Sequence, residues 1–195
     1  MTVQRVLFSV LALNVKGQLG RMTSCISDNN INIDRLVLSA ADIEDRVHRT
    51  IMYVEGEKDD ILNATRQLEG MEGVIKVNLF FTNEDYVEKE LCLVKMLSAE
   101  PTVSWVMNSV SELEGRTIST KNGVMIFQLE GTEEQITDFI SQLTSFTKNV
   151  EVIRSGMVAT STNKEVVNLQ VLEDYFKKNN LEGENTTESK ISELF

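Results

Sequence analysis

Residues 5–21 read RVLFSVLALNVKGQLGR, and this stretch decides the fold. Its first ten residues, ending at Asn14, are apolar and rich in β-formers, with no helix signal among them. They read as a strand. Val15, Lys16 and Gly17 then turn the chain, after which Leu19, Met22 and Ile26 recur at helical spacing. The helix is expected to stop at Asn29-Asn30, because asparagine tolerates the left-handed conformation that closes a helix. A strand that passes into a helix through a glycine turn leaves the first helical N–H groups without acceptors.

Outward from this unit, residues 31–40 (INIDRLVLSA) read as a second strand and residues 42–45 (DIED) as a polar turn. Residues 46–55 (RVHRTIMYVE) alternate as a third strand, and residues 59–71 form a helix with Ile61, Thr65 and Leu68 on one face. Gly73 ends that helix, and residues 74–81 (VIKVNLFF) supply a fourth strand. The order β-α-β-β-α-β is the ferredoxin-like or split βαβ pattern, in which two helices cover one face of a four-stranded antiparallel sheet.

The second half repeats the order. Residues 87–97 read as a strand, and residues 100–114 as a helix with Pro101 in its first turn and Val103, Met107, Val110 and Leu113 along one face. Residues 116–121 and 123–131 form a hairpin at Lys121-Asn122-Gly123, an Asn-Gly tight-turn signal. Residues 132–147 form a helix with Thr132 as N-cap, Gln135 three residues on, and Ile136, Phe139, Ile140 and Leu143 facing inward. Residues 149–158 are the last strand. The expected fold class is therefore α+β: two ferredoxin-like βαββαβ domains, residues 1–83 and 84–160, with a helical tail over 161–195. The halves do not align residue by residue, so the repeat is one of architecture. In the tail, residues 165–178 make an amphipathic helix through Val166, Leu169, Leu172, Tyr175 and Phe176, expected to pack on the second domain or to dock on a partner. Residues 179–190 are polar and expected to be flexible.

Composition narrows the function. Of 195 residues, 42% are hydrophobic and 25% charged, as in a soluble globular protein. A net charge of −11, from 30 acidic and 19 basic residues, argues against nucleic acid and against anionic lipid. No apolar run reaches the roughly 18 residues of a membrane helix. MTVQRVLFSVLALN has one basic residue and no small-residue cleavage site, so it is expected to be a strand rather than a secretory signal, and the cytoplasm is the expected location. Cys25 and Cys92 stand far apart and read as reduced, small apolar residues. His48 is the only histidine, lies in an alternating strand and reads as a surface or packing residue, which leaves no zinc site. The chain has no GxSxG, P-loop or GxGxxG motif. Its acidic clusters, Glu57-Lys58-Asp59-Asp60 and Glu84-Asp85, fall at turns or helix starts, where negative charge suits the helix dipole. The components of a catalytic site are missing.

What remains is Asn14-Val15-Lys16-Gly17-Gln18-Leu19-Gly20-Arg21. Open amides at a helix start bind carboxylates, and an asparagine side chain both donates and accepts. That combination suits a free amino acid. The plainer reading, that Gly and Asn serve only the backbone of the turn, stands beside it.

The motif N-x-x-G-x-L-x-R (Asn14, Gly17, Leu19, Arg21) resembles the first loop of ACT domains, and in detail that of acetohydroxyacid synthase small subunits. Asn32-Ile33-Asp34-Arg35-Leu36 resembles the same family's second strand. Residues 87–95 (VEKELCLVK) resemble the opening of its second domain, and residues 150–156 (VEVIRSG) a stretch near its C-terminus; Gln128-Leu129-Glu130-Gly131-Thr132 also fits. The first motif is shared by many ACT domains, the second-domain motifs belong to this family.

The resemblance implies an N-terminal ACT domain, a ferredoxin-like C-terminal domain, and a homodimer formed by ACT sheets side by side. It implies a valine-like amino acid bound between two ACT domains, with Asn14, Gly17, Gln18, Leu19, Asn32 and Ser39 lining the site, Asn14 bonding across the interface and Leu19 facing the ligand's side chain. It also implies a non-catalytic regulatory subunit that activates a separate large subunit and makes it sensitive to feedback. Thiamine diphosphate, FAD and magnesium belong to that large subunit, with no cofactor on this chain. The sequence departs from the family at Asn30, where glycine is usual, and after Gly156, where MVATSTNK and the extra tail replace the usual ending. Three other readings stay open: a stand-alone ACT sensor acting on another enzyme or regulator, a small enzyme on this fold, and an interaction module using the tail helix.

Overall fold

The structure, a computed structural model, describes residues 3–41, 45–81, 86–162 and 169–179. The expected boundary at 83/84, the Glu84-Asp85 pair, most of the 42–45 turn and nearly all of the 179–190 stretch lie outside the described residues. The chain divides into two compact units, Met1–Asp85 with Ser161–Phe195, and Tyr86–Thr160.

The first unit runs β1 (Val3–Leu13), α1 (Gln18–Asp28), β2 (Asn32–Ala40), β3 (Val47–Glu57), α2 (Lys58–Glu69) and β4 (Val74–Phe80). The strands pair in the order β2-β3-β1-β4, and each pairing is antiparallel. Asn30 closes the first helix at φ 59°, the left-handed role asparagine fills most readily after glycine. Val6, Phe8, Val10 and Ala12 of β1 meet Met22 and Ile26 of α1 and Ile61, Ala64 and Leu68 of α2 in the core. Thr65, expected on that inner face, instead turns its hydroxyl to the Ile61 carbonyl, and Ala64 takes the buried position.

The other face of β1 is buried as well. Leu7, Ser9, Leu11 and Leu13 are each less than 5% exposed. At the Leu13 end the cover is α5 (Leu169–Lys178), whose Leu172 and Phe176 pack with Leu11, Leu13 and Val47. The Arg46 guanidinium lies 4.3 Å over the Phe176 ring. Of the two expectations for the tail helix, packing on the second domain is not met: the helix belongs to the first unit. The physical reason is that β1 is apolar on both faces and needs a second cover.

The second unit runs β5 (Tyr86–Leu97), α3 (Val103–Glu112), β6 (Arg116–Lys121), β7 (Val124–Gly131), α4 (Glu133–Phe146) and β8 (Val150–Ser161). Its strand order, β6-β7-β5-β8, is that of the first sheet. Thr132 and Gln135 form the reciprocal capping box, and Asn122 and Gly123 take φ 56° and 74° at the hairpin. The helix α3 corrects two details. It begins at Val103 after a Thr102 cap, so Pro101 precedes it, and its buried face runs through Val106 and Val110 while Met107 is 46% exposed. Arg154 donates from Nε and a terminal nitrogen to the buried Glu90 carboxylate at 2.7 and 2.5 Å, which ties β8 to β5.

Candidate functional site

The turn after β1 is built around Gly17, which caps α1 at φ 85° and ψ −9°. Only glycine enters that region without steric cost, and a Cβ there would meet nothing within 4 Å. Glycine is needed for its backbone, not for space. The Gln18 amide donates to the Val15 carbonyl at 3.1 Å and the Arg21 amide to the Gly17 carbonyl at 3.0 Å. Helix geometry leaves the Leu19 and Gly20 amides between them without an intrahelical acceptor, and no side chain caps the helix. The positive end of the helix dipole sits at the same place.

Asn14 is held at both ends. Its backbone amide donates to the Arg46 carbonyl at 2.8 Å and its Nδ2 to the Asp45 carbonyl at 2.7 Å. Its Oδ1 is left to accept from a ligand. Gln18 is buried and turned away from solvent: Nε2 donates to the Glu72 carbonyl at 3.2 Å, and Oε1 accepts from Arg21. Gly73 lets that side chain in, since a Cβ at Gly73 would lie 2.8 Å from Gln18 Oε1.

A cavity of about 190 Å³ opens beside this turn. That is smaller than the roughly 300–1,000 Å³ of drug-sized pockets and suits a small metabolite. Asn14, Gly17, Gln18 and Leu19 line it together, with Ala12, Met22, Leu38, His48 and Thr50. Two of the anticipated residues lie elsewhere in this chain. Asn32 opens β2, paired with Glu55 at the far end of the sheet, and Ser39 pairs with Arg49, whose guanidinium donates to Ser9 on the face away from the cavity. His48 and Thr50 were not anticipated in the lining. His48 pairs with Ala12 across β1–β3, and its Nε2 lies 3.4 Å from Asp45 Oδ1. The alternation of β3 carried the signal, but only the pairing register shows which face meets the helices. Among the described residues no group of three or more His, Cys, Asp or Glu could hold a metal ion, and no helix is long and apolar enough to cross a membrane.

Two ferredoxin-like units, the first with a strand–glycine–helix turn over a small cavity, define a protein with the ACT-type fold. Residues 89–163 match the family model described as the small subunit of acetolactate synthase, another name for acetohydroxyacid synthase. The acetolactate synthase small subunit of Haemophilus influenzae is 24% identical over 161 residues, covering 83% of this chain and 98% of that one. The acetolactate synthase isozyme 3 small subunit of Salmonella typhimurium is 28% identical over 163 residues, covering 84% and 99%. Among solved structures, the acetolactate synthase small subunit of Thermotoga maritima superposes with a TM-score of 0.71 at 22% identity, covering 83% of this chain and 99% of that one, and so shares the fold. These matches make the chain similar to acetolactate synthase small subunits over most of its length.

Proposed function

We propose that this chain is the non-catalytic regulatory subunit of an acetolactate synthase in branched-chain amino acid biosynthesis, and that it binds valine or a related amino acid at the β1–α1 turn. The observation that carries the reading is the glycine-opened helix start, with its free Leu19 and Gly20 amides, facing a small cavity beside Asn14. The amides take the effector's carboxylate and Asn14 Oδ1 its ammonium. The thiamine diphosphate, FAD and magnesium of the reaction sit on the large subunit, and the complex works in the cytoplasm.

The reading includes a homodimer through the ACT-type sheets, supported by the exposed edge strand β2, which carries Leu36 and Leu38 at 37% and 39% exposure. Asn32 and Ser39 stand on that strand, where a second copy brings them to the site. Ligand binding controls the large subunit only to the extent that the effector prefers one arrangement of that interface, a coupling of about 1–3 kcal/mol in typical cases. The domain limits 1–83, 84–160 and 161–195 are part of the proposal, with the tail serving the first domain.

Reconstitution with the large subunit, assayed with and without valine, leucine and isoleucine, tests the regulatory role. A stand-alone sensor would leave the synthase rate unchanged. Gly17→Val should abolish amino-acid binding in a calorimetric titration while the fold survives. Asn14→Ala should weaken binding by about 1.5–3 kcal/mol, the worth of a hydrogen bond to a charged group. Titrations identical to wild type would overturn the site.

A further inference from the structure

His48 is the only histidine of the chain and the only titratable side chain in the cavity's lining. It sits in β3, opposite Ala12 on β1 and Ala40 on β2, on the face that meets the helices. Its side chain is 23% exposed, so a molecule in the cavity can touch it. Nε2 lies 3.4 Å from Asp45 Oδ1, and a carboxylate at that nitrogen favours the neutral tautomer with the ring proton on Nε2. Nδ1 then keeps its lone pair for a ligand. Asp45 ties the ring to Asn14 as well, because the Asp45 carbonyl accepts from Asn14 Nδ2 at 2.7 Å. The ring therefore stands at the Asn14 end of the cavity. Every other side chain in the lining, from β1, β2 and α1 alike, is uncharged. Lys16 and Arg46 lie in the two turns but outside the lining, and Arg21 of α1 reaches Gln18. Asp42 and Glu44 lie outside the described residues.

We propose that His48 Nδ1 is a second acceptor for the effector's ammonium, beside Asn14 Oδ1, and that protonating the ring releases the effector. The inference rests on the effector reading above. With the carboxylate on the Leu19 and Gly20 amides, the ammonium lies at Asn14, and the asparagine oxygen satisfies one of its three donors. A neutral imidazole takes another. An imidazolium has donors only, and its charge opposes the ammonium. Asp45 offsets that charge only in part, because its own side chain is 62% exposed and screened by water. Proton and effector thus compete for one nitrogen. The sign follows: affinity falls as pH falls, and binding at acid pH expels a proton.

The full-length chain and its His48→Asn and His48→Leu variants are each titrated calorimetrically with L-valine, L-leucine and L-isoleucine at about pH 5.5 and about pH 8, which bracket the ordinary range of histidine titration. Both ends of a free amino acid keep their charges between those values. Wild type should bind about tenfold more weakly at the lower pH, roughly the worth of one hydrogen bond. There its heat of binding should also change with the ionisation heat of the buffer, the mark of an expelled proton. His48→Asn keeps an acceptor that takes no proton, so its affinity should be the same at both pH values and its heat indifferent to the buffer. His48→Leu should be equally indifferent to pH, and weak at both values. A pH ratio that the variants share with wild type, or tighter binding at the lower pH, overturns the proposal. So does a wild-type heat that ignores the buffer, a result that needs no variant to fold. The Gly17→Val chain separates this from failure of the effector reading. If it loses binding while wild type binds equally at both pH values, only the role of His48 falls. If wild type binds none of the three at either pH, the effector reading falls and takes this inference with it.

Discussion

The strands β1 and β5 hold the same place in two sheets of identical order, yet they are buried differently. In β1, VQRVLFSVLAL, every residue from Val6 to Leu13 is buried. In β5, YVEKELCLVKML, buried residues alternate with exposed or half-buried ones. The first strand has helices on one face and, at its Leu13 end, a tail helix on the other. The second packs Cys92, Val94 and Met96 against helices and leaves Lys95 free to pair with Glu151 at 2.9 Å on the opposite face.

The turns that follow these strands diverge further. After β1, a left-handed Gly17 leaves two amides open. After β5, the connection reads Ser98-Ala99-Glu100-Pro101-Thr102, with Thr102 capping α3 in an ordinary right-handed conformation. Glu100 points its carboxylate at the α4–β8 loop, accepting from Asn149 Nδ2 at 3.0 Å and from Thr147 Oγ1 at 3.5 Å. One turn invites an anion and the other carries one. The same fold therefore holds an open, uncapped turn in one unit and a brace in the other, and the difference lies in a few turn residues.

Three measurements press on this contrast. The largest effect belongs to the second unit: Arg154→Leu strands the Glu90 carboxylate, 2% exposed, without its partner. Removing one member of a buried pair typically costs about 3–5 kcal/mol. Hydrogen exchange should show the loss across β5 and β8, and a loss below about 1 kcal/mol would mean that the pair is not a brace. Next, Gly73→Ala in the first unit forces a side chain into φ 83° and against Gln18. A loss of about 2 kcal/mol in urea unfolding is expected, from left-handed strain of about 1–2 kcal/mol plus the contact. Effector binding should weaken with it, because Gln18 holds the turn; binding that survives intact would uncouple the two.

The smallest effect is the pH response of Cys92. Burial first, and then the nearby Glu90 charge, push its thiol from 9.0 up to about 11, against the opposing pull of Arg154. A raised pKa means that the fold favours the neutral thiol. That stability is complete below pH 9 and is lost as pH rises through 11. Wild type should therefore lose stability over that window relative to Cys92→Ala, and parallel curves would count against it.

Much of this was legible in the sequence, because most of it is local. The Thr132-Gln135 capping box, the Asn122-Gly123 hairpin and the left-handed Asn30 each follow from residues within a few positions of one another. So does the Asn14–Gly17 turn. Leu38, His48 and Thr50 reach the cavity through the β2–β3–β1 register, which depends on pairing across about 35 residues and cannot be read from either strand alone. Met107 does not face inward because both Val106 and Met107 fit the spacing between Val103 and Val110, and packing against the sheet selects Val106. The unbroken apolar run of β1 fits a strand covered on both faces, and its second cover comes from beyond residue 160.

That late cover has a practical consequence. The relatives from Haemophilus influenzae and Salmonella typhimurium are matched over 98–99% of their own length but over only 83–84% of this chain. Ending this chain at residue 160 removes α5 and uncaps Leu11, Leu13 and Val47, a contiguous oily surface that in water looks for another molecule. Ten residues that look like an ornament are what keeps this sheet from sticking to its neighbours.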